Sequence, residues 1–267
     1  MELAVSNIAW ESDKEPRIYE LLQNKQVQAL EIAPTRVWSC PDRATAPEVN
    51  SFLEIMSRHQ LRTIAFQALL FGKQELQIFE RAQQHECLTY LCALIDLAAK
   101  VGARALVFGS PKNRVKGGLD DSEAFERAVE FFRQLGDYAA LKRVFICLEP
   151  NPKAYGCDFI NTTAEGARLV RAVNSPGFKL HFDTGALHMN NEDIEGSIAE
   201  HIELAVHFHV SEPYLGDLTC PQVDHGKAAR ALRRSGYSGP VSIEMRATQD
   251  SMKSVSTAID FVKDTYL

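Results

Sequence analysis

The stretch ARALVFGS (residues 103–110) is followed by SEAFERAVEFFRQLGDYAALK (122–142) and then by RVFICLEP (143–150). The outer two stretches are short apolar runs, whereas the middle one has apolar residues at helical spacing, which predicts strand, helix and strand. Strands that alternate with helices pair in parallel through right-handed crossovers. This unit decides the fold class because the rest of the chain repeats it.

The same alternation runs from LAVSNIAW (3–10) to GPVSIEM (239–245) and gives eight strand-helix units. Eight such units in about 250 residues are typical of a (β/α)8 TIM barrel. A doubly wound open sheet is the competing fold, but no glycine-rich phosphate fingerprint follows the first strand. We therefore expect one catalytic TIM-barrel domain over residues 1–267, and we expect Ser122 to cap the helix that begins near it.

Composition and charge narrow the function classes. The 267 residues are 45% hydrophobic and 24% charged, which is ordinary for a globular chain, and the net charge of -6 counts against nucleic-acid binding. The N-terminal residues carry no signal-peptide pattern, and no apolar run approaches the roughly 18 residues of a membrane span. The six cysteines include no C-x-x-C pair and suggest reduced thiols. We expect a cytoplasmic protein with no membrane partner.

Polar residues occupy the carboxyl ends of the last four predicted strands. Glu149 ends FICLE, Asp183 ends KLHFD, His209 lies in VHFHV and Glu244 ends VSIE. Parallel strands buried on both faces otherwise consist of nearly unbroken apolar runs. In a barrel these strand ends open on the single face where barrel active sites lie. If the four side chains point inward, three carboxylates and one imidazole meet at one point.

Such a cluster predicts a bound cation. Without one, like charges would force some of the carboxyl groups to take up protons. An oxygen-rich set of ligands with one nitrogen suits Mn²⁺ best, with Mg²⁺, Co²⁺ or Zn²⁺ as alternatives. His181 and His207 each lie two residues before a predicted ligand, so they share its inward direction and are expected one layer deeper.

These segments also carry a family resemblance. CLEPNP, HFDTG, HFHVSEP and VSIEM, together with VFGSPKNR after the fourth strand, resemble the xylose-isomerase-like sugar phosphate isomerase/epimerase family. That family has the TIM-barrel fold and includes ketose 3-epimerases and, more distantly, the endonuclease IV group. The resemblance implies that its Glu-Asp-His-Glu metal set falls on Glu149, Asp183, His209 and Glu244, and it leaves a homo-oligomer open.

One departure from the family pattern concerns the segment after Asp183. Ketose epimerases usually have a histidine three residues after this aspartate, whereas this chain has Ala186 there and its nearest histidine is His188. His188 is expected either to contact the substrate from a longer loop or to cap the following helix.

Metal-assisted proton transfer is the predicted chemistry. A divalent ion would polarise the carbonyl of a small sugar or sugar phosphate, and the neighbouring C–H would become acidic. Glu149 and Glu244 would be the catalytic pair, one removing the proton and the other returning it through a cis-enediolate. The protein is therefore predicted to be a metal-dependent isomerase or epimerase. A metal-dependent dehydratase of a keto-polyol is the alternative, while phosphodiester cleavage and a non-catalytic sugar-binding barrel are weaker ones.

Further residues are candidates for substrate binding. Trp10 is expected either to stack on a sugar face or to pack at the barrel rim, and Gln67 to bind hydroxyl groups. Arg114 and Arg246, with nearby loop lysines, would form an anionic subsite unless they are simply solvated loop charges. Glu31 closes the second strand and is expected either to bind substrate or to pair with a basic residue inside the barrel.

Overall fold

The computed structural model describes residues 1–267 and consists of eight parallel strands in a closed barrel. The strands neighbour one another in chain order, and the last strand pairs with the first. They are β1 (Glu2–Ser6), β2 (Ala29–Ile32), β3 (Arg62–Phe66), β4 (Ala105–Phe108), β5 (Phe145–Leu148), β6 (Phe178–Asp183), β7 (Ala205–Ser211) and β8 (Pro240–Glu244). The predicted TIM barrel is confirmed.

Nine helices surround the barrel. They are α1 (Glu15–Asn24), α2 (Ala46–Arg58), α3 (Arg81–Val101), α4 (Asp121–Leu141), α5 (Thr163–Val173), α6 (Thr184–Met189), α7 (Ile194–His201), α8 (His225–Arg234) and α9 (Ser251–Tyr266). Each long helix buries one apolar stripe against the strands, as the stacking of Phe132 of α4 on Phe178 of β6 illustrates. Side chains of this layer make up most of the hydrophobic core.

Helix caps show where local sequence was informative. Thr162 and Glu165 form a capping box at the start of α5, a pattern that is visible in the sequence. At α4 the expected cap is wrong, because the Asp120 carboxylate accepts the Glu123 amide hydrogen at 2.8 Å and Ser122 already lies inside the helix. An aspartate two residues earlier thus competes successfully for the same backbone donor.

The short helix α6 is absent from the sequence prediction. It begins directly after β6 because the Asp183 carboxylate accepts the amide hydrogen of Ala186 at 2.6 Å. Gly185 makes this sharp turn possible, since a Cβ atom there would lie 2.8 Å from the backbone oxygen of Glu212. The chain therefore turns away from the barrel axis immediately after its sixth strand.

Two strand pairings are irregular. The register of β2 with β3 shifts between Leu30 and Glu31, and that of β6 with β7 shifts between Leu180 and His181. The partner strands each carry one extra residue, Ile64 in β3 and Val206 in β7. Such bulges change the direction of the side chains that follow them.

The inside of the barrel is more polar than the layer between strands and helices. Glu31, His181, His207, His209 and Ser242 are all fully or almost fully buried there. The fold therefore places a buried polar column beneath the face where the strands end.

No helix is both long enough and apolar enough to span a bilayer.

Candidate metal centre

Four side chains converge at the carboxyl ends of β5 to β8. The Nδ1 atom of His209 lies 3.1 Å from Oε2 of Glu244, 3.5 Å from Oε1 of Glu149 and 3.8 Å from Oδ2 of Asp183. One donor atom from each of the four residues lies within 4.8 Å of the others. The structure thus brings together all four residues that the sequence predicted as metal ligands.

Strand register explains the convergence. Asp183 is paired directly with His209, and Ser211, two residues further along β7, is paired with Glu244. Glu149 follows β5 and completes the set from the other side of β6. Because the four strands are consecutive neighbours, their ends meet on one side of the barrel mouth.

The orientation of His209 is fixed from below. Its Nε2 atom lies 3.0 Å from both carboxylate oxygens of Glu31, so Nε2 carries the proton and donates to Glu31. The Nδ1 atom is buried and faces the strand-end carboxylates. Burial opposes the charged form of His209, but the charges of Glu31 and Glu244 outweigh it and hold the pKa of His209 well above its usual range, so a bound cation would take the place of the Nδ1 proton. A histidine held in one tautomer by a carboxylate, with its other nitrogen facing carboxylate oxygens, has the arrangement of a metal ligand. The donor set therefore fits a divalent cation.

Two further histidines form a layer beneath the four ligands, as their position in the strands predicts. Nε2 of His207 lies 3.3 Å from Oε1 of Glu31. Nε2 of His181 lies 3.6 Å from Oε1 of Glu149, and the rings of His181 and His209 meet edge to face with centroids 4.1 Å apart. From the sequence, Glu31 is expected either to bind substrate or to pair with a basic residue inside the barrel. The structure shows the pairing, with His207 and His209.

Burial and mutual repulsion raise the pKa of two of the converging carboxyl groups. Burial raises the pKa of Asp183 to about 7, with additional contributions from the charges of Glu149 and Glu244. Burial also raises the pKa of Glu244, although the nearby His209 opposes that change. A bound divalent ion would replace the shared protons and restore the ionised carboxylates.

This shift predicts pH-dependent metal binding. Since the pKa of Asp183 in the folded protein is about 7, a proton must leave before an ion can bind below that pH. The Mn²⁺ affinity should therefore rise with pH below the pKa of Asp183, by up to about tenfold per pH unit for this one proton, and less steeply above it. Titration calorimetry across this range, in buffers of different ionisation enthalpy, measures both the affinity and the released proton.

The control for that titration is Asp183→Asn, which removes the titrating carboxyl group and should bind more weakly with a flatter pH profile. The Asp183 carboxyl group also affects the stability of the metal-free protein. The folded state holds its proton more tightly than the unfolded state does, so the free energy of unfolding should fall as pH rises from 3.8, the unfolded pKa, to about 7. An Mn²⁺ affinity that does not change with pH below 7 would contradict this assignment.

The Glu149 carboxylate is held by a chain of polar contacts. The Asn151 amide donates to Oε2 of Glu149 at 2.8 Å, and Nη2 of Arg114 donates to Oδ1 of Asn151 at 3.1 Å. The same Nη2 also donates to the backbone oxygen of Glu149 at 2.8 Å. Gly109 provides the space for this carboxylate, since a Cβ atom there would lie 2.3 Å from Oε2.

Gly109→Ala should therefore displace the Glu149 carboxylate while leaving the fold intact. The atom that the new methyl group meets is the far end of a flexible side chain, and Gly109 does not have a positive φ. We expect turnover to fall about a hundredfold, as a misplacement of about 1 Å typically costs. Steady-state kinetics at saturating metal and thermal unfolding give the two readouts.

The matched control is Gly118→Ala, because a Cβ atom at Gly118 meets nothing within 4 Å. It should keep both turnover and melting temperature. Normal turnover in Gly109→Ala would show that Glu149 does not need the position seen in the structure.

Asp183 is fixed by two donors. The Ser211 hydroxyl donates to Oδ2 at 2.5 Å, and the Ala186 amide donates to Oδ1 at 2.6 Å. Thr184, the first residue of α6, supports this arrangement because its hydroxyl exchanges hydrogen bonds with the backbone of Ser211 in β7. Sequence analysis missed both Asn151 and Ser211; each lies two residues beyond a predicted ligand, and that spacing was the only signal.

A cavity of about 390 Å³ opens above the four ligands. Glu149, Asp183 and Glu244 contribute to it, and the remaining lining residues come from loops at the barrel mouth. Those loop residues are Pro111, Asn151, Tyr155, Tyr214, Leu215 and Arg246. Its volume lies in the range of small-molecule sites. Among the expected substrate-binding residues, only Arg246 reaches this cavity.

Trp10 and Gln67 lie in the protein interior, outside the cavity lining. Trp10 is fully buried, which corresponds to the alternative of a packed aromatic, and its backbone oxygen accepts a hydrogen bond from Arg36 at 2.6 Å. Gln67 is also buried, and its amide donates to the hydroxyl of Ser6. Neither side chain lines the cavity.

Arg114 and His188 also lie outside the cavity lining. Arg114, expected at an anionic subsite or as a solvated loop charge, is fully buried and donates to the backbone oxygen of Glu149. His188 is exposed on α6 and does not line the cavity, because the early start of that helix carries it past the site. The structure therefore shows no histidine in the position where the ketose epimerase pattern has one.

Glu212 belongs to a separate buried group. Its Oε1 lies 2.8 Å from Nε2 of His225, whose Nδ1 lies 2.6 Å from the hydroxyl of Tyr266. Glu212 also accepts the amide hydrogen of Gln222 at 2.8 Å. These contacts fasten the loop after β7 to α8 and α9 and explain why Glu212 adds no free charge to the mouth.

Comparison with known proteins identifies the family of this chain. The family model described as xylose isomerase-like TIM barrel matches residues 23–265. The chain belongs to the xylose isomerase-like TIM barrel family. The four converging residues lie within the matched region, as does every residue that lines the cavity.

Relatives in this family include sugar epimerases. The L-ribulose 3-epimerase of Methylomonas sp. (strain DH-1) is 26% identical over 157 residues, which cover 52% of this chain and 54% of the relative. The matched part thus spans about half the length of that relative.

Solved structures are similar over the whole length of the chain. The D-psicose 3-epimerase from Clostridium cellulolyticum H10, solved with D-tagatose, has a TM-score of 0.84 at 18% identity and covers 100% of this chain and 99% of its own. The IOLI protein, solved with a zinc atom, has a TM-score of 0.77 at 19% identity and covers 99% of this chain and 96% of its own. At these identities the likeness shows the shared fold.

Proposed function

We propose that this protein is a divalent-metal-dependent isomerase or epimerase of a sugar or sugar phosphate, acting by proton transfer through a cis-enediolate. The observation that carries the proposal is the convergence of Glu149, Asp183, His209 and Glu244 around one point beneath a cavity of small-molecule size. The similarity to L-ribulose 3-epimerase supports this reaction class.

The four residues would hold the cation, and the bound ion would supply Lewis acidity toward a carbonyl and an adjacent hydroxyl group. Carboxylate oxygens with one imidazole nitrogen favour Mn²⁺, with Mg²⁺, Co²⁺ and Zn²⁺ as alternatives. The zinc atom in the solved IOLI structure, which shares this fold, supports the proposal of a bound divalent ion.

Glu149 and Glu244 would move the proton. They reach the cavity from β5 and β8, on the two sides of the pair formed by Asp183 and His209. One carboxylate would remove a proton from the carbon next to the carbonyl, and the other would return it to the opposite face. Transfer by a positioned base of this kind contributes on the order of 10²–10⁴ to a rate.

A panel of ketoses and keto-polyols with Mn²⁺ in deuterium oxide tests the proposal. Enolisation would place solvent deuterium at one carbon, and nuclear magnetic resonance would identify that carbon. Removal of the metal with a chelator should stop the exchange, and Mn²⁺ should restore it. Loss of water with a new enone absorbance would instead indicate the dehydratase, and no exchange with any compound would contradict the proposed reaction.

A further inference from the structure

The loops above the metal centre provide a wall that is mostly apolar. Tyr155, Tyr214, Leu215 and Pro111 line the cavity on the loop side, whereas the strand ends contribute only carboxylates. The rings of Tyr155 and Tyr214 meet edge to face with centroids 5.7 Å apart. A substrate that reaches the carboxylates must therefore also lie against aromatic and aliphatic surface.

This wall is built from an unusual turn. Tyr214 and Leu215 both have a φ of 57°, the left-handed region that non-glycine residues rarely adopt. The turn is held at two points: the Tyr214 amide donates to the Tyr155 hydroxyl at 2.9 Å, and the Leu215 oxygen accepts the Arg246 amide hydrogen at 2.9 Å. Backbone in this region persists where surrounding contacts fix it, and such positions cluster at ligand sites.

Arg246 is the one cationic side chain that lines the cavity. It stands near three carboxylates and yet forms none of the ion pairs in the chain. The hydrogen bond from its backbone to Leu215 keeps it on the loop side of the cavity, away from the strand ends. Its guanidinium group is therefore available to a ligand.

No second cation assists Arg246. Lys153 lines a neighbouring groove, Lys112 lines no part of this cavity, and Arg114 is buried behind Glu149. A single guanidinium group matches one carboxylate with two parallel hydrogen bonds. A phosphate monoester carries a charge of about −1.5 to −2 at neutral pH, and one arginine leaves much of that charge unpaired beside three carboxylates.

We propose that the site takes a keto-polyol that carries one carboxylate group, with Arg246 binding the carboxylate and the wall formed by Tyr155 and Tyr214 covering the carbon chain or ring. This inference rests on the proposed function, because it assumes that the carbonyl end of the same molecule faces the four strand-end residues. It keeps the proposed reaction and metal centre, and it replaces the free sugar or sugar phosphate of that proposal with a sugar acid.

A matched series tests the substrate class with the Mn²⁺-loaded protein. D-Fructose, D-fructuronate and D-fructose 6-phosphate differ only at carbon 6, which is a hydroxymethyl group, a carboxylate or a phosphate ester. Calorimetry gives the affinity of each compound. We expect D-fructuronate to bind at least about tenfold more tightly than the other two, as one charge-assisted bidentate pair provides.

Arg246→Gln should remove this preference, so the ratio of the D-fructuronate and D-fructose affinities should fall about tenfold or more. Arg246→Lys should recover only part of it, because an ammonium group does not reproduce the planar fork. The control is Lys153→Gln, which removes a cation from the same face of the barrel but outside the cavity and should keep the preference.

Binding and deuterium exchange separate the two proposals. A carboxylate preference without exchange at any carbon would contradict the proposed reaction and leave the anionic subsite supported. Tightest binding of the phosphate ester or of the uncharged ketose, or equal losses for all three compounds in Arg246→Gln, would overturn the carboxylate assignment.

Discussion

Glu244→Gln should abolish the proposed epimerisation while substrate binding remains measurable. The amide keeps the size of the side chain at the end of β8 but cannot accept the proton, and loss of a positioned base costs on the order of 10²–10⁴ in rate. Glu149 remains in place, so the epimer that Glu149 deprotonates should still exchange its proton with solvent. We therefore expect deuterium in one epimer only, measured at saturating Mn²⁺ because Glu244 also faces the metal centre.

Glu149→Gln provides the mirror experiment, since it should abolish epimerisation and leave exchange in the other epimer. Metal content is determined for both variants, because an amide is a weaker ligand than a carboxylate. Near-normal epimerisation by Glu244→Gln with bound metal would remove this residue from the catalytic pair. Exchange of both epimers by each variant would show that another group moves the proton.

Glu31→Ala should weaken metal binding although Glu31 touches no ion. Its carboxylate lies 3.0 Å from Nε2 of His209 and fixes the tautomer that leaves Nδ1 free. Loss of such a supporting carboxylate typically lowers metal affinity about 10–100-fold. Removal of its charge also leaves His207 without its nearest carboxylate. Calorimetric titration with Mn²⁺ measures the loss, and crystallography or nitrogen chemical shifts of His209 report the tautomer.

Glu31→Gln separates orientation from charge, because its amide oxygen can still accept the proton of Nε2 and should recover part of the affinity. Thr63→Val is the control, since Thr63 is buried in β3 and its hydroxyl has no hydrogen-bond partner. If Glu31→Ala keeps the normal Mn²⁺ affinity and folds normally, the contact with His209 is not needed to position the ligand.

Most of the fold could be predicted from the sequence because its signal is periodic. Apolar runs and helical spacing alternate eight times, and parallel pairing then leaves the barrel as the main solution. The helix α6 could not be predicted, since it has only six residues and depends on Asp183 acting both as a strand end and as a cap. A residue with two local roles gives no separate pattern for each.

The converging residues could be predicted for a different reason. A charged residue at the end of a buried strand conflicts with its surroundings, and four such conflicts in consecutive strands indicate a shared explanation. Loop residues give no comparable signal. From the sequence, Arg114 is expected at an anionic subsite or as a solvated loop charge. The structure instead shows it fully buried behind Glu149. Tyr155 and Tyr214 reach the cavity through loop conformations that the sequence does not specify.

The extra residue Val206 has a consequence for any attempt to move this site to another protein. After Val206 the strand continues with His207, His209 and Ser211. Side chains alternate with a period of two along a strand, so removal of this bulge residue would turn the residues beyond it toward the opposite face. A regular strand given the same polar residues would therefore direct His209 away from Glu31 and the other three ligands. Engineers would have to transfer this insertion together with the ligands.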